Sequence, residues 1–142
     1  MDLAIIEEAY IDIGNICIDP HVQKTINISV KLVKLPYILN PLQRMLLCSK
    51  DYIKIPIKTF GFVQLRSTFA RLGLMAPPTI ADPGFEGQIT LEVFNASNNS
   101  IFIHPGEKIF SINFVKAYNE GIYKGRYQKQ TGITLAKSID KE

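Results

Sequence analysis

Gln88 to Phe94 reads QITLEVF, with Ile89, Leu91 and Val93 on one face and Thr90 and Glu92 on the other. That period of two is the pattern of a half-buried β-strand. The same alternation recurs along the chain. Thr25 to Leu35 (TINISVKLVKL) sets Ile26, Ile28, Val30 and Leu32 against Asn27, Ser29 and Lys31. Asp51 to Ile57 alternates Ile53, Ile55 and Ile57 with Tyr52 and Lys54, and Lys108 to Val115 sets Phe110, Ile112 and Phe114 opposite Ile109, Ser111 and Asn113. Ile11 to Ile18 and Ile101 to Ile103 are shorter candidates. Turn residues separate the runs: Asn40-Pro41, Pro77-Pro78, Asp82-Pro83-Gly84, Asn95 to Ser100, and Pro105-Gly106, which suits the centre of a type II turn. Many short strands with such punctuation predict an all-β sandwich or barrel. One stretch reads as helix, Ser67 to Leu72 (STFARL), with Ser67 as N-cap and Gly73 as its end.

Length and composition agree with this class. The chain has 142 residues, of which 46% are apolar and 20% charged, enough for one domain with a sizeable core and too apolar for a disordered chain. The same balance excludes a collagen-like chain and a coiled coil. No apolar run approaches the roughly 20 residues of a membrane span. Met1 to Tyr10 carries Asp2, Glu7 and Glu8 without a basic start, so it does not read as a signal peptide. A cytoplasmic protein is expected, with Cys17 and Cys48 as packing residues rather than a disulfide. The net charge of +3 is too small for a nucleic-acid surface. Within it, Tyr123 to Lys129 (YKGRYQK) concentrates Lys124, Arg126 and Lys129 without an acid. That suits a small anion, or simply a solvated tail.

Chemistry concentrates in Val63 to Glu92, VQLRSTFARLGLMAPPTIADPGFEGQITLE. Arg66 and Ser67 stand where a strand passes into a helical turn. A helix start offers free N–H groups to a phosphate, and an Arg adds a planar, bidentate donor. An ordinary N-cap beside a surface Arg has the same sequence. Arg71, one turn on, is a phosphate contact or an ion-pair partner. Asp82 opens a Pro-Gly turn, where Asp is common for local reasons. Glu92 lies mid-strand on the face opposite Leu91 and Val93; a carboxylate there is either an edge residue in solvent or a proton acceptor with a raised pKa. His21 and His104 are isolated, and no Cys or His recurs at zinc-ligand spacing. The zinc-dependent deaminase signature, the phosphate-binding P-loop, G-x-G-x-x-G and G-x-S-x-G are all missing from the sequence.

Taken in order, four segments resemble the trimeric dUTPase / dCTP deaminase superfamily over nearly the whole chain. LRSTFARLGL is similar to the family's R-S-S-x-x-R-L-G-L phosphate motif, with Thr68 for the second serine. ADPGFEGQITLEV is similar to I-D-x-G-F-x-G-x-I-T-L-E, with Ala81 for Ile. HPGEKIFSINF resembles P-G-x-x-I-x-x-L-x-F, and YKGRYQKQTGITLAK resembles Y-x-G-K-Y-Q-x-Q-x-G-V-T, with Arg126 for Lys. Asp2-Leu3 resembles the end of S-x-D-L.

The resemblance implies a distorted, jelly-roll-like β-barrel assembled as a homotrimer, with sites shared between subunits. The implied substrate is a deoxyribonucleoside triphosphate, dUTP or also dCTP, with Mg²⁺ on its phosphates. The chain then reads as one domain, 1–142, whose segment 120–142 closes over the site. Arg66, Ser67, Thr68 and Arg71 match phosphate-contacting positions, and Gln88 a substrate-binding one. Tyr123, Arg126 and Gln130 match residues that fold over base and phosphates. Asp82 matches the aspartate that orients water in the hydrolases, and Glu92 the general base of the deaminases. Asp2 matches an acid that holds magnesium-bound water.

The loop from Met75 to Asp82 (MAPPTIAD) is two residues shorter than the deaminase pattern and carries Pro77-Pro78. It is similar to archaeal-type dUTPases, which keep the Glu as well. The expectation is therefore a dUTP diphosphatase, with a zinc-independent dCTP deaminase or a bifunctional enzyme as alternative. A non-catalytic nucleotide-binding trimer stays open because of Ala81, Ser111 and the short start before Asp2-Leu3.

Overall fold

The computed structural model describes residues 1–118 and 121–139. In chain order its elements are β1 (Asp2–Ala4), β2 (Glu8–Asp12), α1 (Gln23–Ile28), β3 (Val30–Lys34), β4 (Tyr37–Leu39), β5 (Arg44–Lys54) and β6 (Thr59–Leu65). There follow α2 (Ser67–Arg71), β7 (Leu74–Met75), β8 (Thr79–Ala81), β9 (Glu86–Asn95), β10 (Ile101–Ile103) and β11 (Lys108–Lys116). A four-stranded sheet runs β1-β11-β6-β8 and a five-stranded sheet β3-β2-β5-β9-β7, with β4 and β10 paired separately. All pairings between these strands are antiparallel. The core lies between the sheets: Leu47, Leu91 and Val93 from the larger, Val63, Ile109 and Ile112 from the smaller, all buried. The expected all-β class is what the chain adopts.

β9 keeps the alternation read from its sequence. Gly87, Ile89, Leu91, Val93 and Asn95 are buried, and the residues between them are half-buried. Its end shows why a polar residue can sit in the core. Asn95 is fully buried, yet its amide donates to the carbonyls of Leu39 (2.9 Å) and Asn99 (2.7 Å), while its Oδ1 accepts from the N–H and hydroxyl of Ser97. It ties the β4 strand and the 95–100 turn to β9. Replacement by Ala strands two carbonyls and is expected to cost roughly 2 kcal/mol, read as a lower urea midpoint with unchanged slope.

Thr25 to Leu35 departs from the expected single strand. Its first part is α1, and the strand begins only at Val30. The Asp19-Pro20 turn starts the helix: the Val22 N–H bonds the Asp19 carbonyl at 2.9 Å, and Thr25 and Asp19 exchange two hydrogen bonds. The Ser29 hydroxyl then returns to the Ile26 carbonyl and closes the turn. Ile26 and Val30 are buried while Ile28 and Leu32 are exposed, a spacing of four across the junction. Among the described residues two short helices thus replace the expected one. The other short helix is capped by Arg66, without a side-chain cap bond, so Ser67 is its first residue rather than its N-cap. Gly73, with φ of 103°, ends it as expected.

Other strand ends move for local reasons. β2 stops at Asp12 because Gly14 and Asn15 turn left-handed, leaving Ile13, Ile16 and Ile18 exposed. β5 begins well before Asp51. Its Met45 to Ser49 run is buried on both faces and so lacks the alternation that marks a half-buried strand. Past Lys54 the chain turns at Lys58, leaving Ile57 exposed. β11 runs out of the core toward its end, so Phe114 is exposed while Ile109 and Phe110 are both buried. Both cysteines are free. Cys48 is the expected buried packing residue, its thiol pushed up to about 11 by burial, whereas Cys17 is exposed.

Candidate functional site

Asp82, Pro83, Gly84 and Phe85 form a tight turn closed by the Phe85 N–H on the Asp82 carbonyl at 3.0 Å. Gly84 takes φ of 81°, the left-handed value that the third residue of a type II turn requires. The turn is pinned to the end of β5 by Gly84 N–H to Ile55 carbonyl (3.0 Å) and Ile55 N–H to Phe85 carbonyl (2.8 Å). Because the backbone closes it, the Asp82 carboxylate is left exposed and makes no hydrogen bond among the described residues. It stands at the edge of a cavity of about 490 Å³, within the roughly 300–1,000 Å³ common for small-molecule sites.

The polar face of β9 supplies Thr90 and Glu92 to this cavity, β5 supplies Arg44 and Leu46, and Ile26 and Val30 close its far side. The α1–β3 junction that departs from the expected strand is therefore part of the cavity wall. Burial raises the Glu92 carboxyl above its ordinary range, and the charge of Arg44 offsets part of that rise. The fold thus gives two carboxylates to one cavity, one wet at the mouth and one half-buried within.

The C-terminal segment forms the remaining wall. β7 pairs with β9 only at Phe94 and Asn95, which leaves the Glu86 to Thr90 edge free. Residues 129–134 take that edge. The Lys129 N–H bonds the Glu86 carbonyl, the Gln88 N–H bonds the Gln130 carbonyl (both 2.8 Å), and the Thr134 N–H reaches Thr90 Oγ1 at 2.9 Å. Gly87, with φ of 150°, permits this approach, since a Cβ there would lie 2.9 Å from the Gln130 carbonyl oxygen. Tyr123 packs edge-on against Phe85 with ring centroids 5.5 Å apart. Gln130 donates to the Gln88 carbonyl at 2.8 Å, while its own Oε1 is buried without a partner among the described residues. Of the segment 120–142 read as a closing element, residues 120 and 140–142 lie outside the described residues.

Asp82, Glu92, Tyr123 and Gln130 of the expected site therefore line one cavity. The others do not line it. Gln88 commits its amide to the Ser49 carbonyl (3.0 Å) and the Gly132 N–H (2.6 Å), holding the C-terminal segment in place. Arg126 is exposed and donates to the Ser138 carbonyl at 2.7 Å. Ser67, Thr68 and Arg71 are exposed on α2, and Arg66 bonds the Lys108 carbonyl and stands 3.5 Å from Asp2. Arg44 and Tyr127, which also line the cavity, escaped the sequence reading. Arg44 heads an apolar run without period, and Tyr127 lies in a tail whose course the sequence leaves open.

No three His, Cys, Asp or Glu side chains converge on a metal position among the described residues. Mg²⁺ needs only one or two protein carboxylates when phosphates and waters fill its octahedron. Asp2 stands beside Arg66, outside the cavity, and the fold holds no cage for an ion of its own among those residues. No helix among them is long and apolar enough to cross a membrane.

Residues 18–117 match the family model described as dCTP deaminase-like. A dCTP deaminase of Pyrobaculum neutrophilum is 42% identical over 102 residues, covering 72% of this chain and 58% of its own length. A probable deoxyuridine 5'-triphosphate nucleotidohydrolase of Sulfolobus islandicus rod-shaped virus 1 is 45% identical over 103 residues, covering 71% and 65%. The matched region thus spans less than two thirds of either relative. Among solved structures, a dCTP deaminase from Agrobacterium tumefaciens superposes with a TM-score of 0.66 at 17% identity, over 80% of this chain and 36% of that one. The EIAV dUTPase gives 0.54 at 20% identity, over 66% and 78%. These likenesses place the fold.

Proposed function

The chain belongs to the dCTP deaminase-like family, within the dUTPase / dCTP deaminase superfamily, and from that membership we propose that it hydrolyses dUTP to dUMP and pyrophosphate. The observation that carries this reading is Asp82: a carboxylate at the mouth of a nucleoside-sized cavity, held by a rigid turn and engaged by no hydrogen bond among the described residues. Pro77-Pro78, which lead into β8 in the cavity wall, give the short loop that resembles the hydrolase branch. The viral relative above carries a hydrolase name.

In this reaction water attacks the α-phosphorus, the bond to the bridging oxygen of the β-phosphate breaks, and pyrophosphate leaves. Asp82 orients the water and takes its proton. Mg²⁺ arriving with the nucleotide would neutralise phosphate charge, and Asp2 would hold it through water. Tyr123 and Gln130 close over the nucleoside, and the unpartnered Gln130 Oε1 is an acceptor that a base N–H can satisfy. Arg66, Ser67, Thr68 and Arg71 contact the phosphates from a second copy, because within one chain they stand outside the cavity. This division suits the homotrimer with shared sites that the family resemblance implies, in which Arg126 closes on the phosphates.

Deamination of dCTP is the second reading, and the raised carboxyl of Glu92 inside the cavity favours it. There water adds to C4, Glu92 moves its proton, and ammonia leaves. Incubation with Mg²⁺ and either nucleotide, resolved by anion exchange, separates the two. The proposal expects dUMP and pyrophosphate from dUTP with dCTP untouched. Formation of dUTP from dCTP would transfer the chemistry to Glu92, and no product from either would leave a nucleotide-binding protein.

Glu92→Gln is expected to leave dUTP hydrolysis within a few-fold of the parent while changing stability in a pH-dependent way. The folded chain raises the carboxyl, so between its unfolded and folded pKa values the native state holds more protons. Stability therefore falls as pH rises through that window, and the penalty persists above it. Glu92→Gln should melt above the parent at pH 8, and the difference should disappear below pH 4. Equal melting at both pH values contradicts the buried, ionised carboxylate.

A further inference from the structure

β9, β5 and β2 lie side by side in the larger sheet, with Glu92 opposite Leu46 and Leu46 opposite Tyr10. Two residues along β5, on the same face, Arg44 stands opposite Phe94 and so diagonal to Glu92. Diagonal neighbours across an antiparallel pair are within reach of a long side chain. Arg44 is braced from its other side: its Nε and Nη2 donate to Asp12 Oδ2 and Oδ1 at 2.9 and 2.7 Å. Such a two-point contact fixes the plane of the guanidinium as well as its position. Negative, positive and negative groups thus follow one another across three adjacent strands. Arg44 and Glu92 face the same cavity, while Asp12 stands outside it.

We propose that Arg44 is a positioning residue for Glu92: braced by Asp12, its charge holds the Glu92 side chain as a carboxylate within the cavity, ready to accept a proton. The catalytic meaning rests on the second reading above; the electrostatic relation between the two side chains does not.

The surroundings single Arg44 out. It is the one cation among the described residues that line the cavity. The other titratable groups around Glu92 are Tyr10 and Asp12 of β2, Asp82 after β8, and Tyr123 and Tyr127 of the C-terminal segment. The two aspartates oppose a negative charge on Glu92. No hydrogen bond joins the tyrosines to it among the described residues, the hydroxyls of Tyr123 and Tyr127 accepting from the Tyr127 and Lys137 N–H groups. α1 and β3 present Ile26 and Val30, and β7 meets the far end of β9 through Leu74 and Met75. Burial drives Glu92 toward its neutral form; the charge of Arg44 is the larger influence opposing it, and a backbone hydrogen bond adds to it.

The test is a carbon-detected NMR titration of the Glu92 carboxyl in the full, ligand-free chain, its resonance assigned by its loss in Glu92→Gln. Arg44→Met should move the midpoint up by about one pH unit, and Arg44→Lys should recover most of that displacement. Should Arg44→Met fail to fold, Arg44→Gln serves in its place, with native folding checked by amide spectra. A folded variant whose midpoint coincides with the parent's overturns the proposal, as does an Arg44→Lys midpoint displaced as far as that of Arg44→Met. Failure of the deaminase reading would appear separately, as an absence of dUTP formed from dCTP with the midpoint displacement intact.

Discussion

Asp82→Asn is expected to lower pyrophosphate release from dUTP by about 10³-fold, within the range that loss of a positioned base produces, while the protein folds and melts like the parent. The structural half of that expectation follows from the turn. The Asp82 backbone carbonyl, not its carboxylate, accepts the Phe85 N–H, and the side chain makes no hydrogen bond among the described residues that Asn would break. Asn is also nearly isosteric and suits the first position of such a turn. The chemical half follows from charge: an amide cannot take a proton from water. Steady-state release of pyrophosphate, with thermal melting of the same preparation, measures both halves. Residual turnover within ten-fold of the parent would remove Asp82 from the reaction. An equal loss of melting temperature would make it structural instead.

The contrast between Asp82 and Glu92 also marks what local sequence can convey. Asp82-Pro83-Gly84 announces its turn through the φ values that Pro and Gly impose, and Gly84 indeed takes the left-handed value. Glu92 was legible because β9 alternates without interruption and its apolar face fixes where the polar face must be. Both signals act over a few residues, and both survive folding.

Arg44 is the opposite case. Met45 to Ser49 is buried on both faces, so no alternation reveals which way Arg44 points, and its partners Asp12 and Glu92 come from strands 32 and 48 residues away in number. Thr25 to Leu35 failed differently. A spacing of two and a spacing of four share Ile26 and Val30, and the choice was made by the Asp19–Thr25 hydrogen bonds, which precede most of the run. The resemblance to a family supplied the order of the site residues. Its division between a cavity and a separate α2 surface became visible only in three dimensions.

Removal of residues 121–142 is expected to reduce kcat/KM for dUTP by about 100-fold or more, the order of effect that misplacing a bound substrate produces, with the β-sheets retained. Among the described residues no strand comes from beyond Lys116, so the sheets keep their pairings. What is lost is one wall of the cavity, namely Tyr123, Tyr127, Gln130 and residues 134–136, together with the hydrogen bonds along Glu86 to Thr90. Water then enters beside Glu92, and its carboxyl should return toward its ordinary range as burial is relieved. The exposed edge of β9 gains unpaired N–H and C=O groups, which invite strand pairing between molecules, so the truncated chain should also aggregate at lower concentration. Turnover, far-ultraviolet circular dichroism and light scattering on one sample distinguish these effects. Full turnover with intact sheets would mean that the C-terminal segment packs on the cavity without serving it.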